Sequence, residues 1–244
     1  MQYTVTELAA DIFRISTFHP DYRIEFNEFL IRDDEPFLMH TGMRGMFQTT
    51  LEGVATIIDP LTLRWIGFSH FESDECGAMN DWLAAAPRAQ GVCSFVAAMV
   101  NLGDFAIRPP RPLADGEILL LGRHRLQFLA TPHLPHGWDA GLFFDQTQRT
   151  LLCSDLFFQG GNCPPVVGPE ILERATKAIR ASRSGPLAHD MPYTPYTDSM
   201  LNRLAALDPQ AIAAMHGSSF QGDGHKVLTA LASEIKSLLS TPES

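Results

Sequence analysis

Apolar runs that stop on an ionisable side chain constrain this chain more than any other feature. Leu63 to Ser69 ends on His70, Leu151-Leu152-Cys153-Ser154 on Asp155, and Ala211-Ile212-Ala213-Ala214-Met215 on His216. The run Leu126 to Thr131 opens into Pro132-His133-Leu134-Pro135-His136-Gly137. A short apolar run bounded by turn residues reads as a buried strand. Each candidate polar group therefore terminates a hydrophobic strand, and the strands that build the core also carry the chemistry to its edge.

The densest of these sites is Ser69-His70-Phe71-Glu72-Ser73-Asp74-Glu75-Cys76-Gly77, with four potential ligands in six positions. Alternate residues of an extended strand end would put His70, Glu72 and Asp74 on one side. Two carboxylates and an imidazole at a strand end, with a turn-forming glycine beyond, can converge on a cation without a helical scaffold. A solvated acidic turn is the plain alternative for this segment standing alone. His136, Asp155 and His216, each at a comparable strand end, weigh against it.

The remaining pattern supplies the layers. Strands are expected at Asp11 to Phe18, Glu25 to Ile31 and Pro36 to His40, then a helix from Arg44 to Ile58 on which Phe47, Leu51, Val54 and Ile58 recur at helical spacing. Further strands are expected at Ile118 to Leu121, Leu126 to Thr131, Ala140 to Phe144 and Thr150 to Cys153. Helices are expected from Pro169, at Thr197 to Leu207 and at Lys226 to Leu239. Pro169 suits a first helical turn and Glu170 its positive end, while Lys177, Arg180 and Arg183 follow toward the other. Ile107 to Asp115 and Phe158 to Pro169 read as loops. Strands followed by helices in both halves suggest an α/β architecture of two packed sheets with helices outside.

Composition narrows the partners. The 28 Asp and Glu residues against 18 Lys and Arg give a formal charge of −10, which disfavours nucleic acid and anionic membrane. The opening MQYTVTELAA has no Lys or Arg and no apolar run of secretory length, and no segment reaches the ~18 apolar residues of a membrane span. A cytoplasmic protein is the expectation. The four cysteines, Cys76, Cys93, Cys153 and Cys163, have no C-x-x-C spacing and suggest neither disulfides nor a zinc ribbon.

The motif H-x-E-x-D at His70, Glu72 and Asp74, followed by a distant His, Asp and His, resembles the metallo-β-lactamase superfamily. It is most similar to the flavodiiron and oxygen-binding diiron branch of that superfamily. His40-Thr41-Gly42, Ser154-Asp155 and Met215-His216-Gly217-Ser218 extend the similarity over nearly the whole chain. Zinc hydrolases of the superfamily usually carry H-x-H-x-D-H, so Glu72 and Glu75 stand where imidazoles would be. The resemblance implies a four-layer αβ/βα sandwich spanning residues 1–244 as one domain. It implies one metal held by His70, Glu72 and His136, a second by Asp74 and His216, and Asp155 bridging them. Glu75 would either ligate the second metal or accept a hydrogen bond behind the ligands.

Three imidazoles with three or four carboxylates and no thiolate suit iron, manganese or zinc, and argue against copper(I) and iron-sulfur centres. With Glu75 included, four negative charges would balance a divalent pair. That neutrality favours oxidation to the ferric state and tilts the balance from hydrolysis toward dioxygen chemistry. The expected cofactor is two iron ions, with two zinc ions or manganese as alternatives. The expected ligand is dioxygen or nitric oxide.

His133 is expected to face the open coordination positions as a catalytic hydrogen-bond donor. An exchange of roles between His133 and His136 is the alternative, and His40 would either orient a ligand or pack as a buried imidazole. Related reductases append a flavin domain, yet only 28 residues follow His216 (244 − 216), so electrons would come from a separate flavin reductase. Without one, the chain would be an oxygen sensor acting on a signalling partner. A homodimer is compatible with either, and a dinuclear zinc hydrolase of ester, lactone, thioester or lactam substrates is the competing function. His19, His124, His189 and His225 read as solvated, Cys76 and Cys153 as packing residues, and Tyr193 and Tyr196 as flanking groups of no assigned role.

Overall fold

A computed structural model describes residues 1–240. Seven strands pair in sequence order in the first sheet: β1 (Tyr3–Ala9), β2 (Ile12–His19), β3 (Ile24–Ile31), β4 (Phe37–Met39), β5 (Trp65–Gly67), β6 (Gln90–Ser94) and β7 (Arg111–Leu113). Pairing is antiparallel from β1 to β4 and parallel from β4 to β7. The second sheet contains β8 (Ile118–Leu120), β9 (Arg125–Ala130), β10 (Gly141–Asp145), β11 (Thr150–Ser154), β12 (Val166–Val167), β13 (Ala211–Ala214) and β14 (Ser219–Gln221). Its order is β12-β14-β13-β11-β10-β9-β8.

Period-2 alternation along these strands feeds two different cores. Phe128 on β9, Leu152 on β11 and Ile31 on β3 point between the sheets, where they join Phe29, Phe37 and Phe143. Their chain neighbours Leu129, Leu151 and Leu30 point the opposite way, under helices. Helices α1 (Phe47–Ala55), α2 (Ser73–Cys76), α3 (Met79–Ala85), α4 (Phe95–Ala97) and α5 (Gly103–Phe105) follow strands of the first sheet. Val54 of α1 and Trp82 of α3 pack on its outer face with Ile15 and Leu38. Helices α6 (Ile171–Ser182), α7 (Thr197–Ala206) and α8 (Gly224–Leu239) cover the second through Ile171, Leu201, Leu204 and Leu231. Asp223 caps α8 by accepting from the Lys226 amide at 2.9 Å. The result is the helix-sheet-sheet-helix arrangement that the resemblance implies.

The structure departs from the sequence pattern in long elements as well as short ones. Arg44 to Ile58 is not one helix but a 3₁₀ turn at Arg44–Met46 leading into α1. The two stretches expected to be loops contain β7 and β12, and β1, β6 and β14 have no counterpart among the expected strands. β7, β12 and β14, of two or three residues, have too few alternations to reveal themselves, because their partner strands define them. Among the described residues no helix is long and apolar enough to cross a membrane.

Candidate metal centre

The two sheets bring the polar strand ends to one edge. Ser69, after β5, accepts from the Gly141 amide of β10 at 3.0 Å, and the Asn27 amide of β3 donates to Met215, after β13, at 2.9 Å. These two hydrogen bonds stitch the sheets together directly beside His70 and His216.

His70 is buried, and its Nε2 lies 2.9 Å from Glu72 Oε2 and 3.5 Å from Asp155 Oδ2. His136 Nε2 lies 3.0 Å from the same Glu72 oxygen and 3.6 Å from Asp155 Oδ2. Ligand atoms of these four residues all fall within 4.8 Å of one another. On the other side, His216 Nε2 lies 3.3 Å from Asp155 Oδ1 and 3.2 Å from Asp74 Oδ2. Asp155 thus turns one oxygen to each of two groups, His70 with Glu72 and His136, and His216 with Asp74. Its Oδ1 is buried without a hydrogen-bond donor.

Local backbone conformations make this convergence. Ser154 is left-handed at φ 52°, just where the β11–β13 register slips, and the resulting bulge turns Asp155 out of the strand. Gly137, at φ 78°, lets the His136 turn close on His70, since a Cβ there would stand 2.9 Å from that of His70. Asp139, which no sequence motif singles out, accepts from the Phe71 amide at 3.1 Å and from Asn101 Nδ2 at 3.0 Å, fixing the segment after His70. The His216 turn is held by Asn27 Nδ2, which donates to the carbonyls of Ala214 and Gly217 at 2.9 and 2.8 Å. Buried Arg14 donates to the same Gly217 carbonyl at 3.0 Å while paired with Glu25. Buried asparagine and arginine carry no spacing signal, and only their burial in the assembled sheets reveals the role.

The extended alternation expected for His70, Glu72 and Asp74 stops at Glu72. Glu72 is extended, but Ser73–Cys76 form a helical turn, so the adjacent carboxylates of Asp74 and Glu75 diverge by about 100°. Asp74 faces His216. Glu75 turns inward and is fully buried, accepting from the Ser69 amide at 2.8 Å and from the Ser154 hydroxyl in a short contact. Its Oε1 stands 3.8 Å from His70 Nδ1, behind the imidazole, and its Oε2 stands 3.3 Å from His40 Nε2. His40 is itself buried and left-handed at φ 68°. The structure therefore brings six of the seven expected metal ligands to a common focus and places Glu75 behind His70. His133 is exposed at φ 65°, and its side chain is not among those lining the cavity above the cluster.

The imidazoles carry protons where cations would stand. Burial opposes charge on His70, yet Glu75, Glu72 and Asp155 outweigh it and hold the group up at about 9. Against the same opposition from burial, Asp155 and Asp74 raise His216 to about 10, and Glu72 raises His136. Hydrogen bonds from His136 and His70 lower Glu72 to about 2, while Asp155, despite the desolvation that opposes its charge, is lowered by His216, His70 and His136. Carboxylates this acidic, facing imidazoles this basic, form a site whose negative charge calls for cations. A metal would displace those protons, as ligand imidazoles must be neutral. The His216 Nδ1 hydrogen donates to the Glu25 carbonyl at 2.8 Å, which leaves Nε2 with its lone pair toward the cluster.

Two expectations about other residues are corrected. His124 is buried, not solvated, with Nδ1 3.1 Å from Asp145 Oδ2, and His19 closes β2 half-buried against Tyr22. All four cysteines are free and buried, and burial pushes the Cys93 thiol up to about 12, so packing is their role here.

Fold and site together define a metallo-β-lactamase-fold protein with a candidate metal cluster at the edge of its sheets. The model of the ODP family beta lactamases matches residues 24–217, and the chain belongs to that family. It is 31% identical over 198 residues to a diflavin-flavoprotein relative of Thermosynechococcus vestitus, covering 79% of this chain and 33% of that one. It is 25% identical over 205 residues to the rubredoxin-oxygen oxidoreductase of Megalodesulfovibrio gigas, covering 81% of this chain and 49% of the other. The chain thus spans half or less of these two relatives. Among solved structures, rubredoxin oxygen:oxidoreductase from Desulfovibrio gigas superposes with a TM-score of 0.81 at 18% identity, over 94% of this chain and 61% of that one. A 1–254 fragment of diflavin flavoprotein A 5 from Nostoc superposes equally well, with a TM-score of 0.81 at 19% identity over 97% and 96% of the two chains.

Proposed function

We propose that this chain is a non-haem diiron protein that binds dioxygen. It would act as an oxygen sensor, or reduce dioxygen or nitric oxide when a separate flavin-containing donor supplies electrons. The observation that carries this reading is Asp155, whose two oxygens face two separate ligand groups. His70, Glu72 and His136 would hold one iron, Asp74 and His216 the other, and Asp155 both. The donor set fits: three imidazoles and three carboxylates without thiolate suit iron, manganese or zinc. An iron pair would supply redox change and positions at which a diatomic ligand binds.

The chain's own residues do the positioning. Glu75 holds His70 from behind and is itself held by Ser69, Ser154 and His40, so we assign it a positioning role and not a metal bond. Glu25 and Asn27 do the same for His216. The relative named an oxygen oxidoreductase supports the reading, and residues 1–244 are taken as a single metallo-β-lactamase-like domain.

A dinuclear zinc hydrolase is the second reading, and one observation favours it: the cavity over the cluster has a volume of about 330 Å³, far more than a diatomic requires. The deciding experiment is metal analysis of protein grown with iron and limited zinc, then anaerobic reduction and readmission of oxygen under visible absorbance. About two irons per chain and an oxygen-dependent spectrum support the diiron reading, and a persistent adduct favours sensing. Two zincs and spectral silence would move the assignment to hydrolysis.

A further inference from the structure

The cavity that starts at the metal cluster, about 330 Å³ in all, continues as an apolar slot between α6 and α8. Ligand pockets are lined mainly by apolar side chains with a few convergent polar groups, and this cavity has that make-up. Its polar end is formed by Glu72, Asp74, His136, Asp155 and His216. Its walls are Ile179 of α6, Leu239 of α8, and Leu187 and Met191 in the segment between α6 and α7, over a floor of the buried Leu156, Leu231 and Ile235.

The charge of the polar end follows from the placement of Glu75. With that carboxylate behind His70, three carboxylates, Glu72, Asp74 and Asp155, face the cluster. Cations held there by neutral imidazoles and these carboxylates would turn their open positions toward the slot. The loaded end therefore attracts an anionic oxygen donor, and the metal-free end, without cations, lacks that attraction. A small anion would satisfy the cluster but leave the slot unfilled.

We propose that the slot binds an aliphatic carboxylate, its head at the metal cluster and its hydrocarbon tail between α6 and α8. This rests on the metal pair assigned above and names the ligand class of the same site. Each methylene transferred from water into such a slot is worth about 0.8 kcal/mol, which corresponds to roughly four-fold in affinity.

The test is calorimetric titration of the full chain, metal-loaded and metal-free, with decanoate, acetate and decanol, after metal content has been measured on the same samples. Decanoate binding the loaded protein at least about ten-fold tighter than acetate, with that preference lost when metal is removed, is the expected result. Decanol should bind both forms alike. Filling the slot by Ala178→Phe, or independently by Ser182→Phe, should weaken decanoate by about ten-fold or more while metal content and acetate binding stay unchanged. A chain that holds two metals yet treats decanoate and acetate alike overturns this inference alone, as does unchanged decanoate binding in both folded variants. A chain that holds no metal pair overturns the diiron reading and the inference with it.

Discussion

Two buried imidazoles face buried carboxylates at opposite ends of the sandwich. At the far end His124, just before β9, places Nδ1 3.1 Å from Asp145 at the end of β10. Asp145 also accepts from the Gln148 amide at 2.8 Å, and the His124 amide donates to Asp33 at 2.7 Å. The two contacts of His124 tie one turn to another, and the Gln148 amide closes the β10–β11 turn on Asp145. At the near end His70 turns Nδ1 toward Glu75 but directs Nε2 to Glu72 and Asp155 at the cavity. The same pair of residue types closes a loop in one place and presents a ligand in the other. What separates them is the direction of the second ring nitrogen and the company it meets.

The strongest way to break this contrast is to remove a ligand imidazole. His70→Ala and His216→Ala should each lower bound metal from about two per chain to one or none, measured by elemental analysis, and full retention in both would defeat the assignment. Glu75→Ala comes next. As a group behind the ligand it should weaken metal affinity by about 10- to 100-fold while the stoichiometry at saturation stays unchanged. Loss of one metal at saturating concentration would instead make Glu75 a direct ligand.

His124→Ala should leave metal binding intact and cost about 1–3 kcal/mol of stability at low pH, read by urea unfolding. The hydrogen bond to Asp145 outweighs burial and raises His124 above its ordinary value. A raised imidazole contributes fully below the unfolded value of about 6.5, and the contribution fades as pH rises through the folded value. The difference between wild type and variant should therefore be larger at pH 5.5 than at pH 9. An equal difference at both would mean that packing, not charge, holds the turn. The smallest effect is expected for exposed His133: His133→Ala should keep metal content and shift stability by no more than about 0.5 kcal/mol. A ten-fold change in oxygen response in that variant would restore it as a catalytic group.

Strand ends carrying His70, Asp155 and His216 were legible in the sequence because a long apolar run and its polar terminus are adjacent in the chain. The layered fold was legible for the same reason, since runs such as Leu126 to Thr131 and Thr150 to Cys153 reveal two-sided burial without any partner. β7 and β12 were hidden because only their neighbours make them strands. Asp139, Asn27 and Arg14 were hidden because nothing local distinguishes a buried polar clamp from a solvated side chain.

By itself, then, the order of residues determined which side chains terminate core strands, and so which groups could meet. Only the tertiary structure decided their directions. A single helical turn at Ser73–Cys76 sends Asp74 to His216 and Glu75 behind His70, and a left-handed Ser154 aims Asp155 between two groups. Local geometry of this kind is stabilised by contacts between residues as much as 203 positions apart, as between Arg14 and Gly217, and such contacts exist only once both sheets have closed.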